Sequence, residues 1–449
     1  MSLSLGTEIT LDIEKPAAGG WMLGRHEGLV VLVRGAIPGE RVRARVGRVG
    51  RDIAYAEVAD VLVASSDRRE SESDWRCGGN VLAHVAYERQ CRLKGEIIRD
   101  ALGRIGHVAL SAPPEVLPSP ERGYRMRARL HARHGRLGFF REGTHEVCDA
   151  ASTGQLLPAT GDWIAETERL LARDRVTGLV GIEIAENIPG DQRACHLELQ
   201  AGAEASAFAV LAEGGALTGL SAGLADHPGG RTLAGTPVVG DVLHVRPGDP
   251  ATALRLRRDV RAFFQGNRYL LETLVRHVVA LVPPGPVVDL YAGVGLFGLS
   301  LAAAGFDEVT LVEGDRASGP SLGENAEPFG TRVRVEHRSV ESFLQSYAGR
   351  VPPSAATGAR PGPAVETTFI VDPPRTGLSK EALGAVVRRG PARIVYVSCD
   401  VATLARDART LLDAGYELEQ LTGIDLFPNT AHVEAVAAYA RPRRAAAAS

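Results

Sequence analysis

The stretch VVDLYAGVGLFGLSLAAAGF occupies residues 287–306. An apolar run carries Asp289 near its end, a glycine turn follows at Gly293-Val294-Gly295, and a helix-type run opens directly after it. A strand that stops in glycines and restarts as a helix is the βα unit of an open sheet. Its turn lies at the carboxyl end of the strand, where a ligand can approach bare backbone. The pattern recurs in VTLVEGD (309–315), FIVDPPR (369–375), RIVYVSCD (393–400) and HVEAVAAYA (432–440), with helix-type stretches between most of them. Such alternation predicts an α/β region with a parallel, doubly wound, Rossmann-like sheet from residue 255 to about 445.

Upstream the patterning is different. Residues 10–64 alternate in short β-type runs, LVVLVRG, ERVRARVGRVG and AYAEVADVLV, broken by glycines and a Pro-Gly, which predicts a small OB-like β-barrel over 1–64. A polar linker, SSDRRESESD, begins an α+β middle region over 65–254. The Pro/Gly/Ala-rich insert at 349–364 reads as a mobile loop without chemistry, and RPRRAAAAS at 441–449 as a disordered tail. MSLSLGTEIT has neither a basic n-region nor an apolar h-region, and the uncharged stretch 290–306 is shorter than the roughly 20 residues a membrane span needs. The expectation is a cytoplasmic monomer with no membrane partner.

The net charge of −3 does not advertise a nucleic-acid binder, so distribution matters more than the sum. RGYRMRARLHARHGRLGFFR (122–141) holds seven arginines and no acid, with Tyr124, Phe139 and Phe140 interleaved. Basic and aromatic side chains on a strand pair suit single-stranded RNA, and Arg125, Arg127 and Arg129 are the expected phosphate contacts. A merely solvated hairpin face is the competing reading. The five cysteines, Cys77, Cys91, Cys148, Cys195 and Cys399, are odd in number and widely spaced, which argues against a disulfide framework.

At the carboxyl edge of the sheet the cofactor is a dinucleotide or S-adenosylmethionine. Glu313, eighteen residues after Gly295, is placed to grip ribose hydroxyls, and Gly298 sits where a dinucleotide fingerprint wants its third glycine. Asp372 followed by the rigid Pro373-Pro374 turn is a device of nucleobase methyltransferases and favours S-adenosylmethionine. Cys399 ends a strand at the same edge, and Glu434 is a carboxylate inside an apolar strand, expensive unless paired or used. Thiolate, carboxylate and methyl donor together specify methylation at carbon 5 of uracil. Sulfur adds at carbon 6, carbon 5 becomes nucleophilic, and a base later removes its proton. A free thiol near pKa 8.5 is mostly protonated at neutral pH, so the site has either to lower it or to supply a proton acceptor. The target base also has to be flipped out of its stack.

With those residues in place, the chain resembles the RNA uracil-C5 methyltransferases that make 5-methyluridine in tRNA and large-subunit ribosomal RNA. FFQGN (263–267), DLYAGVGLF (289–297), DPPRTG (372–377), SCDVATLARD (398–407) and DLFPNTAHVE (425–434) match that family's motifs in order. GGWMLGRHEGLVVLVRGAIPGERVRARV (19–46) resembles the TRAM barrel. The resemblance implies a class I methyltransferase domain in which Gln265, Tyr291, Gly293, Gly295, Glu313 and Asp372 bind S-adenosylmethionine, Cys399 is the nucleophile and Glu434 the base. It implies RNA as partner, with 23S rRNA favoured over tRNA. A non-catalytic RNA-binding or chaperone protein on a dead methyltransferase fold is the rival. Methylation of an exocyclic amine would need no cysteine and an aromatic where Arg375 stands.

Three positions depart from the family pattern: Leu296 for a polar cofactor contact, Asn429 for the glutamine of FPQT, and Val401 for the proline of SCDP. A fourth departure concerns metal. Many relatives hold a four-iron, four-sulfur cluster on four cysteines, and here Cys77 and Cys148 remain while Ser71 and Asn80 fill the other places. Neither Cys91 nor Cys195 is a natural substitute, and two thiols with His84 nearby are too few. The expectation is no metal and no iron–sulfur cluster, with Cys77 and Cys148 as ordinary side chains.

Overall fold

The computed structural model describes residues 3–71, 73–213, 215–225, 229–347 and 366–442; the insert at 349–364 and the tail from 443 lie outside them. Strands β1 (Glu8–Pro16), β2 (Met22–His26), β3 (Leu29–Arg34), β4 (Arg41–Val49) and β5 (Ile53–Val63) close into a barrel in the order β1-β2-β3-β5-β4. Strict alternation makes this possible: in β1, Ile9, Leu11 and Ile13 face inward while Glu8, Thr10 and Asp12 face water. The linker does not hang free. Arg68 grips the buried Glu40 of the barrel through two hydrogen bonds of 2.6 and 2.7 Å.

Helix α1 (Tyr87–Arg104) and the two-residue strand β6 (Val116–Leu117) follow. A seven-stranded sheet is then built from β7 (Arg127–Arg133), β8 (Arg136–Phe140), β9 (Val147–Asp149), β10 (Leu179–Glu186), β11 (Arg193–Leu199), β12 (Gly219–Leu224) and β13 (Arg231–Gly235), with α2 (Pro158–Arg173) inserted after β9. Its order is β13-β12-β11-β10-β7-β8-β9. The hairpin β14 (Val238–His244) and β15 (Ala253–Asp259) leads into the last region, so the expected division at 254/255 runs through a strand.

The final sheet contains β16 (Val287–Leu290), β17 (Val309–Glu313), β18 (Val333–His337), β19 (Thr368–Val371), β20 (Arg393–Ser398), β21 (Glu417–Ile424) and β22 (Glu434–Ala440), ordered β18-β17-β16-β19-β20-β22-β21-β6. Helices α3 (Leu271–Ala280), α4 (Leu296–Ala303) and α5 (Ser318–Ala326) pack on one face. The opposite face takes α6 (Val340–Ser346), α7 (Lys380–Arg389), α8 (Val401–Asp413) and also α1, while β6 pairs with β21. Residues 87–117 therefore serve the catalytic sheet although they precede the middle sheet in the chain.

Two expectations need correction. The sheet is not wholly parallel: β22 runs antiparallel to both β20 and β21. Residues 425–433 between β21 and β22 contain no helix to carry the chain back across the sheet, so the second strand returns in reverse. The thiols of Cys77 and Cys148 are not separate either, but joined in a disulfide across a Cα–Cα distance of 5.9 Å. Sequence spacing gave no hint because non-local pairing creates the approach: Cys77 bridges Arg141, and Cys148 pairs with Phe139 on the adjacent strand.

A buried ion pair inside the hairpin also reaches the middle sheet. Arg258 and Asp241 are both fully buried, 3.2 Å apart, and Arg258 also donates to the carbonyl of Glu186 on β10. Removing one partner strands the other charge in low dielectric. Arg258→Met is expected to destabilise the protein by about 3–5 kcal/mol, measured by chemical unfolding, a cost set by the unpaired Asp241 rather than by lost packing volume.

Candidate active site

The glycine turn after β16 is shaped by close packing. Gly298, the third glycine of the fingerprint spacing, lies on α4, where a Cβ would come within 2.2 Å of Leu311 Cδ2; its amide donates to Asp289 Oδ2 at 2.8 Å. Gly295 has φ 99°, where a side chain would be strained. The amide of Gly293 donates to Glu313 Oε2 at 2.7 Å, which pins the loop to the end of β17. Tyr291 sits in the same loop with φ 63°, but its ring packs on the opposite face of the sheet. There it lines a 570 Å³ cavity with Glu341, Pro374 and Lys380. Tyr291 thus offers its backbone, not its ring, to the glycine cradle.

Gln265 approaches from the segment before α3 and donates to Asp372 Oδ2 at 3.2 Å. Asp372 follows β19, Cys399 follows β20, and Glu434 opens β22. The reversed direction of β22 matters here. Ser398 pairs with Ala435, so one step further the register sets Cys399 opposite Glu434 at the edge where the parallel strands end. A parallel β22 would have carried Glu434 to the other edge.

The charged groups at this edge act on one another. Burial pushes the Cys399 thiol up to about 12, the Glu434 carboxylate adds to the rise, and Arg375 opposes it. Glu434 is itself raised well above the usual carboxylate range by burial and by Asp372, again with Arg375 in opposition. Burial raises Asp372 too, against the hydrogen bond from Gln265. The thiol is thus raised, not lowered, in these surroundings. Arg375 is the charged neighbour that motif reading used only to exclude amine chemistry; its place directly after the Pro-Pro turn was the available signal.

The arginine-rich stretch forms the β7–β8 hairpin, and its exposed face is less free than its composition implies. Arg127 pairs with Glu183 on β10 at 3.3 Å and Arg129 with Glu198 on β11 at 2.8 Å. Arg125 bonds Gln155 at 2.5 Å and lies against Phe427, in the loop ahead of Glu434. Of the three, Arg125 borders the catalytic edge. His131 stacks on Phe140 with ring centroids 3.7 Å apart and extends the aromatic surface of the hairpin.

Comparison with known proteins bears on the same residues. A family model described as tRNA (uracil-5-)-methyltransferase matches residues 244–441, and a TRAM-domain model matches 3–59. A 23S rRNA (uracil(1939)-C(5))-methyltransferase, RlmD, of Methylococcus capsulatus is 31% identical, covering 96% of this chain and 97% of its own. The chain belongs to the RNA uracil-5-methyltransferase family. An uncharacterized RNA methyltransferase of Thermosynechococcus vestitus is 30% identical over 96% of this chain and 98% of that protein. The crystal structure of the Pyrococcus abyssi tRNA (uracil-54, C5)-methyltransferase with S-adenosyl-L-homocysteine shares the fold, with a TM-score of 0.71 at 23% identity over 96% of this chain and 99% of that one.

Within the family pattern, the departures have local causes. Val401 is the first residue of α8, and Asp400 caps that helix by accepting from the amides of Ala402 and Thr403 at 3.0 and 2.9 Å. The family's proline would sit at this first helical position, where an amide needs no helical partner, so valine leaves the cap intact. Leu296 is buried in the core beneath the turn. Asn429 adopts φ 63°, a conformation asparagine tolerates better than most side chains.

Asp289 is fully buried, and burial raises its carboxyl to about 8. A carboxyl raised on folding adds stability that is complete below its ordinary value of 3.8 and is lost as pH climbs through about 8. Asp289→Asn keeps an oxygen for the Gly298 amide and does not titrate. Its stability relative to the parent is expected to increase steadily across that pH window in urea unfolding, and a pH-independent difference would contradict the assignment.

Proposed function

We propose that the protein methylates carbon 5 of a uridine in RNA through a covalent adduct on Cys399, with S-adenosylmethionine as methyl donor and 23S rRNA as substrate. The observation that carries this reading is the register that sets Cys399 opposite Glu434 at the cofactor edge. The donor set suits S-adenosylmethionine. Gly293 leaves its surroundings open to 3.9 Å, Glu313 and Asp372 lie at the ends of the two strands that flank β16, and Asp289 Oδ1 is buried without a hydrogen-bond partner among the described residues. S-adenosylmethionine supplies an electrophilic methyl group there.

The chain's own residues do the rest. Cys399 loses its thiol proton to solvent and its sulfur adds to carbon 6 of the flipped uracil, which makes carbon 5 nucleophilic. Once carbon 5 carries the methyl group, Glu434 takes the proton from it; the released electron pair restores the ring double bond and expels the sulfur. Burial keeps Glu434 a stronger base than an exposed carboxylate, and among the described residues its Oε1 has no hydrogen-bond partner. Four curated relatives, of Methylococcus capsulatus, Shewanella sediminis, Halomonas elongata and Pseudomonas putida, are named for a uridine of 23S rRNA, which favours that substrate and a cytoplasmic site of action. The β7 face with Arg125, Arg127 and Arg129 is proposed to meet the RNA backbone, Arg125 nearest the flipped base.

RNA containing 5-fluorouridine is expected to trap the parent protein covalently, because fluorine cannot leave as a proton. Cys399→Ala is expected to give no adduct, whereas Glu434→Gln accumulates one even on ordinary RNA. Equal trapping by Cys399→Ala on denaturing gels would overturn the mechanism.

The Cys77–Cys148 disulfide stands where relatives' cluster ligands would be, and we infer a cluster-free protein. Anaerobically purified material is expected to contain no stoichiometric iron or acid-labile sulfide. Finding both would require the disulfide to open and other ligands to join it.

A further inference from the structure

The six residues Asp425-Leu426-Phe427-Pro428-Asn429-Thr430 lie between β21 and Glu434 and form no regular structure. Their backbone is nevertheless held at every step from elsewhere in the chain. The carbonyl of Leu426 accepts from Asn267 Nδ2 at 3.1 Å, and that of Phe427 from Lys94 Nζ at 3.0 Å. The carbonyl of Pro428 accepts from the Tyr124 hydroxyl at 3.2 Å, and that of Asn429 from the amide of Leu82 at 2.9 Å. Four consecutive carbonyls are thus taken by four different segments, three of them in the region before the catalytic sheet.

The side chains reinforce the hold. Lys94 and Asp425 are both fully buried and 2.5 Å apart. Gln90, one helical turn before Lys94 on α1, binds Asn429 twice, donating to Oδ1 at 2.9 Å and accepting from the amide at 3.0 Å. Arg69 donates to the same Oδ1 at 2.9 Å, and Asn429 keeps its left-handed backbone under this clamp. Burying an ammonium and a carboxylate costs several kcal/mol per ion and rarely improves on an apolar pair, so stability alone is a weak reason for this arrangement.

A positional role explains it better. Glu434 is the first residue of its strand, and among the described residues its Oε1 finds no hydrogen-bond partner, so its place is set by where the backbone delivers it. We propose that Lys94 and Gln90 of α1, with Tyr124 and Asn267, are positioning residues that hold the 425–430 loop so that Glu434 meets carbon 5 of the substrate. This rests on Glu434 being the base, as proposed above. Addition of sulfur and transfer of the methyl group use Cys399 and the cofactor edge, so loosening the loop impairs the proton-removal step selectively.

The test compares Lys94→Met and Gln90→Leu with the parent and with Glu434→Gln, using full-length protein and ribosomal RNA fragments. Both loop variants are expected to bind S-adenosylmethionine with unchanged affinity and to form the 5-fluorouridine adduct to the parent's extent. On ordinary RNA their kcat is expected to fall about 100-fold, as it does when a catalytic group shifts by ~1 Å, with KM little changed and covalent protein–RNA complex accumulating. Should Lys94→Met not fold, Lys94→Met/Asp425→Leu removes both buried charges and carries the same expectation. Parallel loss of cofactor binding, 5-fluorouridine trapping and turnover would show the contacts to be merely structural and overturn the proposal. So would parental turnover. Accumulation in Glu434→Gln but not in the loop variants would refute the positioning role alone, whereas its absence in Glu434→Gln would refute the assignment of the base and the positioning role with it.

Discussion

Reversing one strand in an otherwise parallel sheet brings the beginning of that strand to the edge where its neighbours end, and the catalytic arrangement follows from this constraint. β22 lies between β20 and β21, and its first residue arrives opposite the residue that terminates β20. Hydrogen-bond register, not loop conformation, then fixes the spacing between thiol and carboxylate. A sheet ladder is a stiff ruler, which suits the proposed reaction, in which two side chains act in succession on adjacent carbons of one ring.

That edge also gathers negative charge in a place with little water. Asp289, Asp372, Glu313 and Glu434 are all shifted toward their protonated forms, chiefly by burial; Asp372 and Glu313 raise Asp289, Asp372 raises Glu434, and Glu434 raises the thiol. Arg375 opposes this for both Cys399 and Glu434. A cationic sulfonium brought to such an edge meets an electrostatic environment already suited to it, and delivery of its methyl group removes that compensating charge.

Much of this was legible from residues alone. Alternation in 1–64 is enough for a barrel, because a closed sheet with one dry side demands period two, and the strand–glycine–helix pattern is enough for the carboxyl edge that gathers Gln265, Asp372, Cys399 and Glu434. Strand direction was not legible, since an alternating or apolar run reads the same either way. The grip of α1 on the base loop was hidden because Gln90 and Lys94 are polar residues on a buried helix face, where pattern reading expects apolar ones; Lys94, one of three lysines in the chain, was the only hint. The carboxylate partners of Arg127 and Arg129 come from β10 and β11, more than 50 residues downstream, beyond the reach of any local charge count.

The two-residue strand β6 has a further effect. Val116 and Leu117 pair with Gly423 and Ile424 on the outer side of β21, which would otherwise be the open end of a seven-stranded sheet. An unprotected strand of that length offers a row of unsatisfied amides and carbonyls to any other chain with a similar edge. The segment ahead of the middle sheet therefore closes the last two residues of that edge, and a fragment beginning after residue 117 would leave them open to another chain.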